Sequence, residues 1–189
     1  MPQPPADQDR RTLLQAVAGL ALAHVAAPVA ATATPAKRTP GKPGDFDFLA
    51  GEWKINHRRW KADTRQWDTF VGEATCWSIL KGVGSIEELR IPSRDFAGMG
   101  LRLLDAETRL WNDFWVNARS GVLTTPGQTG SFENGVGTFG ADDSDANDPI
   151  KVRGVWDRIT PVSCRWHQVI SRDAGKTWQD DWLMDWTRA

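Results

Sequence analysis

Hydrophobic and polar residues alternate with a period of two along most of the chain after Phe46. Runs rich in Val, Ile, Thr, Phe and Trp are separated by short clusters of turn-forming residues, and no helical period lasts beyond a turn or two. This alternation places successive side chains on opposite faces of a strand. The pattern predicts ten strands, at residues 52–61, 67–80, 83–91, 98–104, 109–117, 129–133, 136–141, 150–159, 163–171 and 177–187.

The connections between these strands are typical of hairpins. Asn134-Gly135 is a two-residue turn of the type that requires positive φ at both positions. Asp105–Thr108 and Ala62–Arg65 are further tight turns, whereas the acidic segment Asp142–Pro149 is predicted to be a solvated loop. The chain is therefore predicted to be all-β, an antiparallel meander closed into a lipocalin-like barrel of about eight to ten strands. Closure is favoured because it removes the exposed sheet edges.

Alternation also assigns an inward face to three of the predicted strands. The predicted interior positions are Trp178, Asp180, Trp182, Met184 and Trp186 in the last strand, Cys164, Trp166, Gln168 and Ile170 in the preceding one, and Trp53, Ile55, His57 and Arg59 in the first. The strands at 67–80 and 109–117 carry aromatic residues on both faces, so the pattern leaves their orientation open.

The N-terminal segment has the features of an export signal. Arg10-Arg11 precedes a short apolar stretch, and Ala31–Ala33 fits the small-x-small pattern cleaved by signal peptidase. We predict a twin-arginine (Tat) type signal peptide at residues 1–33, and hence an exported protein, periplasmic or extracellular, with no stable membrane span after cleavage. The alternative is an amphipathic helix or anchor that stays attached.

Residues 34–44 are rich in Pro and Gly and are predicted to form a flexible leader. The remaining residues, 45–189, form the predicted barrel domain.

Composition narrows the choice of partner. The sequence has eleven Trp, seven Phe and no Tyr, and its formal net charge is −1. A buried Trp removes about 150–250 Å² from water, so these indoles are expected to dominate the core. A chain without net positive charge has no broad basic field for a phosphate backbone, which argues against nucleic acid as a partner.

Two short motifs resemble known barrels. Gly51-x-Trp53 at the start of the first strand, together with the late Arg188, is similar to the calycin superfamily, which includes lipocalins. The resemblance implies that the Trp plugs the closed end of the barrel and that the Arg lies over its indole in a cation–π contact. Residues 45–188 also resemble a family of exported bacterial proteins, through Phe48–Trp53, Gly100–Arg102 and Asp105–Trp111. That similarity implies a calycin-like barrel but no activity.

Ser171-x-Asp173-x-Gly175-x-x-Trp178 matches the Asp-box, a hairpin motif that is repeated in sialidase propellers. It occurs once, whereas a propeller needs several copies, so we interpret it as a structural turn.

No residue pattern predicts a metal site or names a cofactor or an oligomeric state. Asp143-x-Asp145-x-Asn147 resembles the start of a calcium loop but lacks the later Gly and Glu of an EF-hand. An acidic solvated loop is the first interpretation and an opportunistic calcium site the second. Cys76 and Cys164 are either buried thiols or a disulfide, because sequence does not give their distance.

The predicted interior supplies the candidate ligand-binding residues. They are His57, Glu73 (if its strand faces inward), Trp115, Trp166, Gln168, Asp180 and Trp182. The leading hypothesis is a barrel that binds a small apolar, aromatic or saccharide molecule. The alternative is a small enzyme, an isomerase, lyase or hydrolase, that uses His57 with an interior carboxylate; no catalytic residue is otherwise identified. A third possibility is a ligand-free structural barrel filled by its own indoles.

Overall fold

The protein is described from a computed structural model, which covers residues 38–145 and 148–189. The predicted signal peptide, residues 34–37 of the predicted leader and Asn147 lie outside the described residues.

Ten antiparallel strands form a closed barrel in which each strand pairs with its neighbours in sequence. The ring closes where β1 pairs with β10, from Trp53 opposite Arg188 to Arg59 opposite Trp182. The all-β closed meander predicted from the alternation is confirmed. The strands are β1 (Gly51–Lys61), β2 (Gln66–Ile79), β3 (Gly84–Ile91), β4 (Phe96–Leu104), β5 (Trp111–Asn117), β6 (Gln128–Glu133), β7 (Val136–Asp145), β8 (Asp148–Asp157), β9 (Ser163–Ser171) and β10 (Gln179–Arg188).

Helical structure is limited to single turns in the described part of the chain. Short 3-10 helices cover Asp47–Leu49, Leu80–Gly82 and Pro92–Arg94. Within residues 38–145 and 148–189, no helix has the length and apolar character needed to cross a bilayer.

The connection predicted as a solvated loop at Asp142–Pro149 is mostly strand. β7 continues to Asp145 and β8 begins at Asp148, with Asp143 paired to Ile150. The polar sequence hid this extension because a strand is predicted from alternating apolar and polar residues, and residues 142–145 include no apolar residue. At the preceding hairpin, between β6 and β7, Asn134 and Gly135 have φ values of 50° and 79°, as the predicted turn requires.

Aromatic rings close one end of the barrel. Phe46, just before the 3-10 helix, is 2% exposed and packs edge-on against Trp111 and Phe132, with ring centroids 4.9 and 5.0 Å away. Trp53 and Trp186 form a similar edge contact beside it, at 5.9 Å. These rings bury a large apolar area, and the geometry of aromatic pairs adds to it.

Arg188 stabilises this closed end because its side chain connects the last strand to the residues just before the first strand. Its guanidinium carbon lies 3.9 Å from the Trp53 ring, and its Nη atoms donate hydrogen bonds to the carbonyls of Phe48 and Ala50. Gly51 has φ of 121°, and a Cβ there would lie 2.5 Å from Arg188 Nη1. The position therefore requires glycine both for its backbone conformation and for space. This is the contact between Trp and Arg that the calycin resemblance implied.

The part of the predicted leader that is described lies against this closed end. Gly41 is buried, donates its N–H to Arg109 O at 2.7 Å and accepts from the Arg109 guanidinium. Gly44 donates to Gly82 O at 2.9 Å. Composition predicts a flexible leader at residues 34–44. The described part nevertheless pairs with the barrel, because the backbone groups of small residues can form hydrogen bonds without burying side chains.

Replacing Arg188 with Met is expected to destabilise the barrel by about 2–4 kcal/mol, because three hydrogen bonds to carbonyls and the cation–π contact are lost. The measurement is the free energy of unfolding in urea. Arg158→Met is the control, since Arg158 is exposed in the turn after β8, and it is expected to change stability by less than about 0.5 kcal/mol. Equal stability of the two variants would contradict the role given to Arg188.

Candidate functional site

The barrel encloses a cavity of about 320 Å³ behind the aromatic plug. This volume is within the usual range for sites that hold a small molecule. Five indoles, a phenylalanine and a methionine form the apolar half of its lining, and seven polar or charged residues form the other half. The lining residues are Glu87, Arg102, Asp113, Phe114, Trp115, Thr124, Gln128, Asp143, Trp156, Trp166, Gln168, Trp182, Met184 and Trp186.

The barrel wall beside this cavity is formed partly by the segment that leads into β6. β5 pairs with β6 over only three residues, Trp111–Asp113. Beyond them the preceding segment runs alongside β5, where Leu123 bridges to Val116 and Thr124 donates its N–H to Trp115 O at 2.8 Å. Phe114, Thr124, Gln128 and Asp143 line the cavity in this region.

Four of the predicted ligand-binding residues line this cavity: Trp115, Trp166, Gln168 and Trp182. Alternation assigned the last three correctly because β9 and the second half of β10 keep a regular register, with Met184 opposite Trp166. The inward face of β5, which the sequence left open, carries Trp111, Asp113 and Trp115. Their role in binding a ligand stays a prediction.

Glu73 lies on the outer face of the barrel, which corrects its place among the interior candidates. Its side chain is 53% exposed and accepts a hydrogen bond from Arg90 Nε at 3.0 Å. The inward positions of β2 at this level are Ala74 and Cys76. The sequence did not decide the orientation because Trp67 and Trp77 are exposed on β2, against the usual preference of indoles for the core.

Asp180 was also predicted to face inward and instead lies outside. The register between β9 and β10 shifts between Asp180 and Trp182, so a bulge reverses the alternation there. Asp180 consequently meets the outer His167, whose Nδ1 lies 3.1 Å from its carboxylate. Asp181 takes the interior contact, accepting a hydrogen bond from Gln168 Nε2 at 3.0 Å.

His57 is inward and 1% exposed, but it lies in the wall between the indoles and β2 and not on the cavity surface. Its ring stacks on Phe70 with centroids 4.6 Å apart, and its Nδ1 accepts a hydrogen bond from Trp182 Nε1 at 3.2 Å. Its Nε2 faces Gly72, where a Cβ would lie 2.6 Å away. Nδ1 is thus the acceptor, and the ring proton belongs on Nε2.

Burial, with a contribution from the positive charge of Arg94, lowers the pKa of His57 to about 4. The imidazole is therefore neutral at physiological pH. No hydrogen bond or ion pair joins it to a carboxylate within the described residues. The pair of histidine and carboxylate that proton transfer would require is not assembled at His57.

An ionic cluster that the sequence analysis did not select lies at the cavity wall. Arg102 is 4% exposed, and its Nη2 donates to the carboxylate of Glu87, which is 3% exposed. Arg102 Nε lies 3.5 Å from Asp113 Oδ1. Burial raises the pKa of Asp113 to about 6, with Glu87 adding to the effect and Arg102 opposing it. The deep part of the site therefore holds one guanidinium and two carboxylates, one of which takes up a proton near pH 6.

The alternation contained a signal for this cluster. Glu87 lies in the inward row of β3 with Ser85 and Leu89, and Arg102 lies in the inward row of the neighbouring β4 with Leu104. A Glu and an Arg at inward positions of adjacent strands are expected to pair, since an unpaired buried charge is very costly.

Several hydrogen-bond donors around the cavity lack a protein partner. In the described part of the chain, the cavity-lining residues contribute Arg102 Nε and Nη1, Trp156 Nε1 and Trp186 Nε1, which are buried without a hydrogen bond. His57 Nε2 and Asp157 Oδ1 are also unpartnered, but their residues do not line the cavity. Buried polar groups without partners are uncommon in native proteins. The unpartnered groups that belong to cavity-lining residues are therefore all donors.

The two cysteines do not supply a nucleophile. Cys76 and Cys164 are buried free thiols. Burial raises the pKa of both, that of Cys164 to about 12, so the reactive thiolate is negligible at neutral pH. No group of three metal-ligating side chains that would suit an ion is found within residues 38–145 and 148–189.

The Asp-box forms the turn between β9 and β10 as a self-contained structure. Asp173 Oδ1 accepts the N–H groups of Lys176 and Thr177 at 3.0 and 2.9 Å. These bonds, with those from the Thr177 and Ser171 hydroxyls, lower the pKa of Asp173. The carboxylate is fully used in holding the turn, which agrees with the structural interpretation.

Comparison with known proteins gives a structural similarity and no family. No family model matches the chain, and no curated protein matches it. Among solved structures, the chain is similar to the crystal structure of Rv2717c from M. tuberculosis, with 11% sequence identity and a TM-score of 0.46. The match covers 75% of this chain and 93% of that chain. It assigns no activity to this protein.

Arg102→Leu is expected to lower the free energy of unfolding by about 3–5 kcal/mol, because Glu87 is left as a buried charge without its partner. Arg102→Leu combined with Glu87→Leu removes both charges, so it should recover part of that loss. Urea unfolding of both variants measures the effect.

The control for this cycle is an ion pair on the surface. Lys151 and Asp142 lie 2.6 Å apart with side chains 42% and 82% exposed, so Lys151→Gln should cost no more than about 1 kcal/mol. The buried pair would not be important for stability if Arg102→Leu cost as little as Lys151→Gln.

Wild-type stability is expected to fall relative to His57→Gln as the pH decreases from about 6.5 to about 4. The folded state holds the pKa of His57 near 4 while the unfolded value is near 6.5, so only the unfolded chain takes up this proton in that range. The difference should reach about 3 kcal/mol. Asp113 acts in the opposite direction. Its pKa is raised in the folded state, so the protein loses stability as the pH rises from about 4 to about 6. This loss is the same in wild type and in His57→Gln, so it does not contribute to the difference between them.

Guanidinium unfolding of the two proteins at pH values between about 4 and 7.5 measures this difference. A constant difference across the range would show that His57 titrates normally in the folded protein.

Proposed function

We propose that this protein is an exported barrel that binds a small molecule in its Trp-lined cavity, and that the ligand has an aromatic or apolar body with at least one acceptor oxygen. The observation that supports the proposal is a set of buried donors without a hydrogen-bond partner in residues that line the cavity: Arg102 Nη1 and Nε, and the indole N–H groups of Trp156 and Trp186. An acceptor within reach of them would receive hydrogen bonds from donors that have no protein partner.

The apolar surroundings of these donors define the rest of the ligand. Trp115, Trp166, Trp182 and Met184 offer flat and polarisable surfaces on which an aromatic ring packs well. A few polar groups that fix orientation within an apolar pocket are typical of small-molecule sites. The cavity also distinguishes this barrel from one that is filled by its own side chains.

Proton transfer by His57 is supported less well than binding. The imidazole is outside the cavity lining, it is neutral, and its Nδ1 is already occupied by Trp182. A general base has to reach the proton that it removes, directly or through one water.

The test is a titration with phenylnaphthylamine, a neutral aromatic probe whose emission rises in an apolar site. We expect saturable binding, with quenching of Trp emission through energy transfer. Gly154→Leu should weaken the affinity at least about tenfold, because a Cβ at Gly154 already lies 3.0 Å from Trp166 Nε1 and 3.3 Å from Gln128 Oε1.

Val155→Leu is the matched control, because Val155 is next in sequence and pairs with the outward His167. Its affinity should equal that of wild type. If Gly154→Leu does not fold, Gln168→Trp fills the same cavity from β9. Absence of binding to wild type, or equal binding by the filled and control variants, would refute the proposed site.

A further inference from the structure

A second cavity, of about 370 Å³, lies at the mouth of the barrel, opposite the aromatic plug. Three arginines, Arg59, Arg94 and Arg119, line it, and the remaining lining residues are Phe70, Ile91, Phe96, Trp115, Asn117 and Trp182. No carboxylate is among the described residues that form this lining. The chain as a whole has a net charge of −1, so three arginines together are a local feature and not a reflection of composition.

Two of these arginines are held on an aromatic floor. The guanidinium carbon of Arg94 lies 3.7 Å from the Phe70 ring, and that of Arg59 lies 4.9 Å from the Trp182 ring. Both rings contact His57, Phe70 by stacking and Trp182 by its hydrogen bond. Guanidinium groups that rest on fixed rings lose less freedom when they bind an anion.

Protein carboxylates neutralise these arginines only in part. Asp68 is shared between Arg94 and Lys61, at 2.8 and 3.2 Å. Arg119 Nη2 donates only to the carbonyls of Arg94 and Asp95, which leaves its charge without a counterion. Among the described residues, Arg59 has no carboxylate partner. The positive charge of Arg94 also contributes to the low pKa of His57 beneath it.

The mouth and the inner cavity are adjacent and have opposite electrostatic character. They share Trp115 and Trp182 as a common wall. Inside, one arginine faces two carboxylates, Glu87 and Asp113, whereas the lining of the mouth has three arginines and no carboxylate. Asp68 offsets part of the charge of Arg94 and Lys61 at the mouth, so the mouth keeps a net positive charge. An anionic group would be repelled from the inner end and attracted to the mouth.

We propose that the ligand of this barrel is an amphipathic aromatic oxyanion, with a carboxylate, sulfonate or phosphate held at the mouth by Arg59, Arg94 and Arg119. Its ring system extends past Trp115 and Trp182 into the inner cavity. This inference rests on the proposed function, because it assigns a charge and an orientation to the molecule bound there. Arginine suits this role because its planar donors match the geometry of an oxyanion.

Two probes with the same ring skeleton test the charge. Anilinonaphthalene sulfonate carries the anion, and phenylnaphthylamine is its neutral counterpart. Wild type should bind the sulfonate at least about tenfold more tightly than the neutral probe, which is the effect expected of a charge-assisted hydrogen bond. Raising NaCl from about 50 to about 500 mM should weaken the sulfonate alone, since salt screens exposed charges.

Variants then assign the effect to the mouth. The triple variant Arg59→Gln, Arg94→Gln, Arg119→Gln should lose the preference for the sulfonate while its affinity for phenylnaphthylamine changes less than about twofold. Arg59→Gln alone should lose part of the preference and breaks no hydrogen bond in the described structure, so it remains informative if the triple variant is unstable. Arg158→Gln, at the closed end, is the matched control and should bind both probes as wild type does.

The outcomes separate the two proposals. If phenylnaphthylamine binds in the cavity but the ratio of the two affinities is the same in wild type and the arginine variants, the oxyanion site is refuted and the binding barrel stands. If neither probe binds, both proposals fail. Naphthoate and naphthyl phosphate, used as competitors of the sulfonate in wild type, then rank the carboxylate and the phosphate against it.

Discussion

Closure of the sheet is the constraint on which the rest of this structure depends. β1 pairs with β10 on one side and with β2 on the other, so no strand in the described barrel has a free edge. A closed sheet has an inside that has to be filled or lined by every second side chain. Arg188 secures the closure by joining the last strand to Phe48 and Ala50 ahead of the first.

The interior is divided into three levels along the barrel axis. Phe46, Trp53 and their neighbouring rings plug one end, the middle contains the indole-lined cavity with the Arg102 cluster, and the other end opens to a mouth lined by arginines. Along the barrel axis, a packed aromatic end is therefore followed by a level with hydrogen-bond donors and then by a positively charged end. We infer a ligand with an oxyanion at one end and an aromatic body that carries an acceptor at the other. The arginines of the mouth suit the oxyanion, and the indole-lined cavity suits the aromatic body.

Sequence alternation predicted the elements well and the site only in part. It placed Trp166, Gln168 and Trp182 correctly because their strands keep an unbroken register. It misplaced Asp180 because one bulge moves every residue before it to the other face. It left Glu73 open because exposed indoles on β2 conceal which face is buried. Glu87 and Arg102 were not selected, although each occupies an inward position of its strand.

By itself the sequence determined the all-β class, the antiparallel meander and the aromatic filling, since a period of two and hairpin turns are local properties of the chain. Only the tertiary structure decided which side chains meet. The pairing of Glu87 with Arg102, the stacking of His57 on Phe70 and the approach of Arg59, Arg94 and Arg119 join residues from different strands and turns. Such contacts depend on register and closure, which spacing along one strand does not specify.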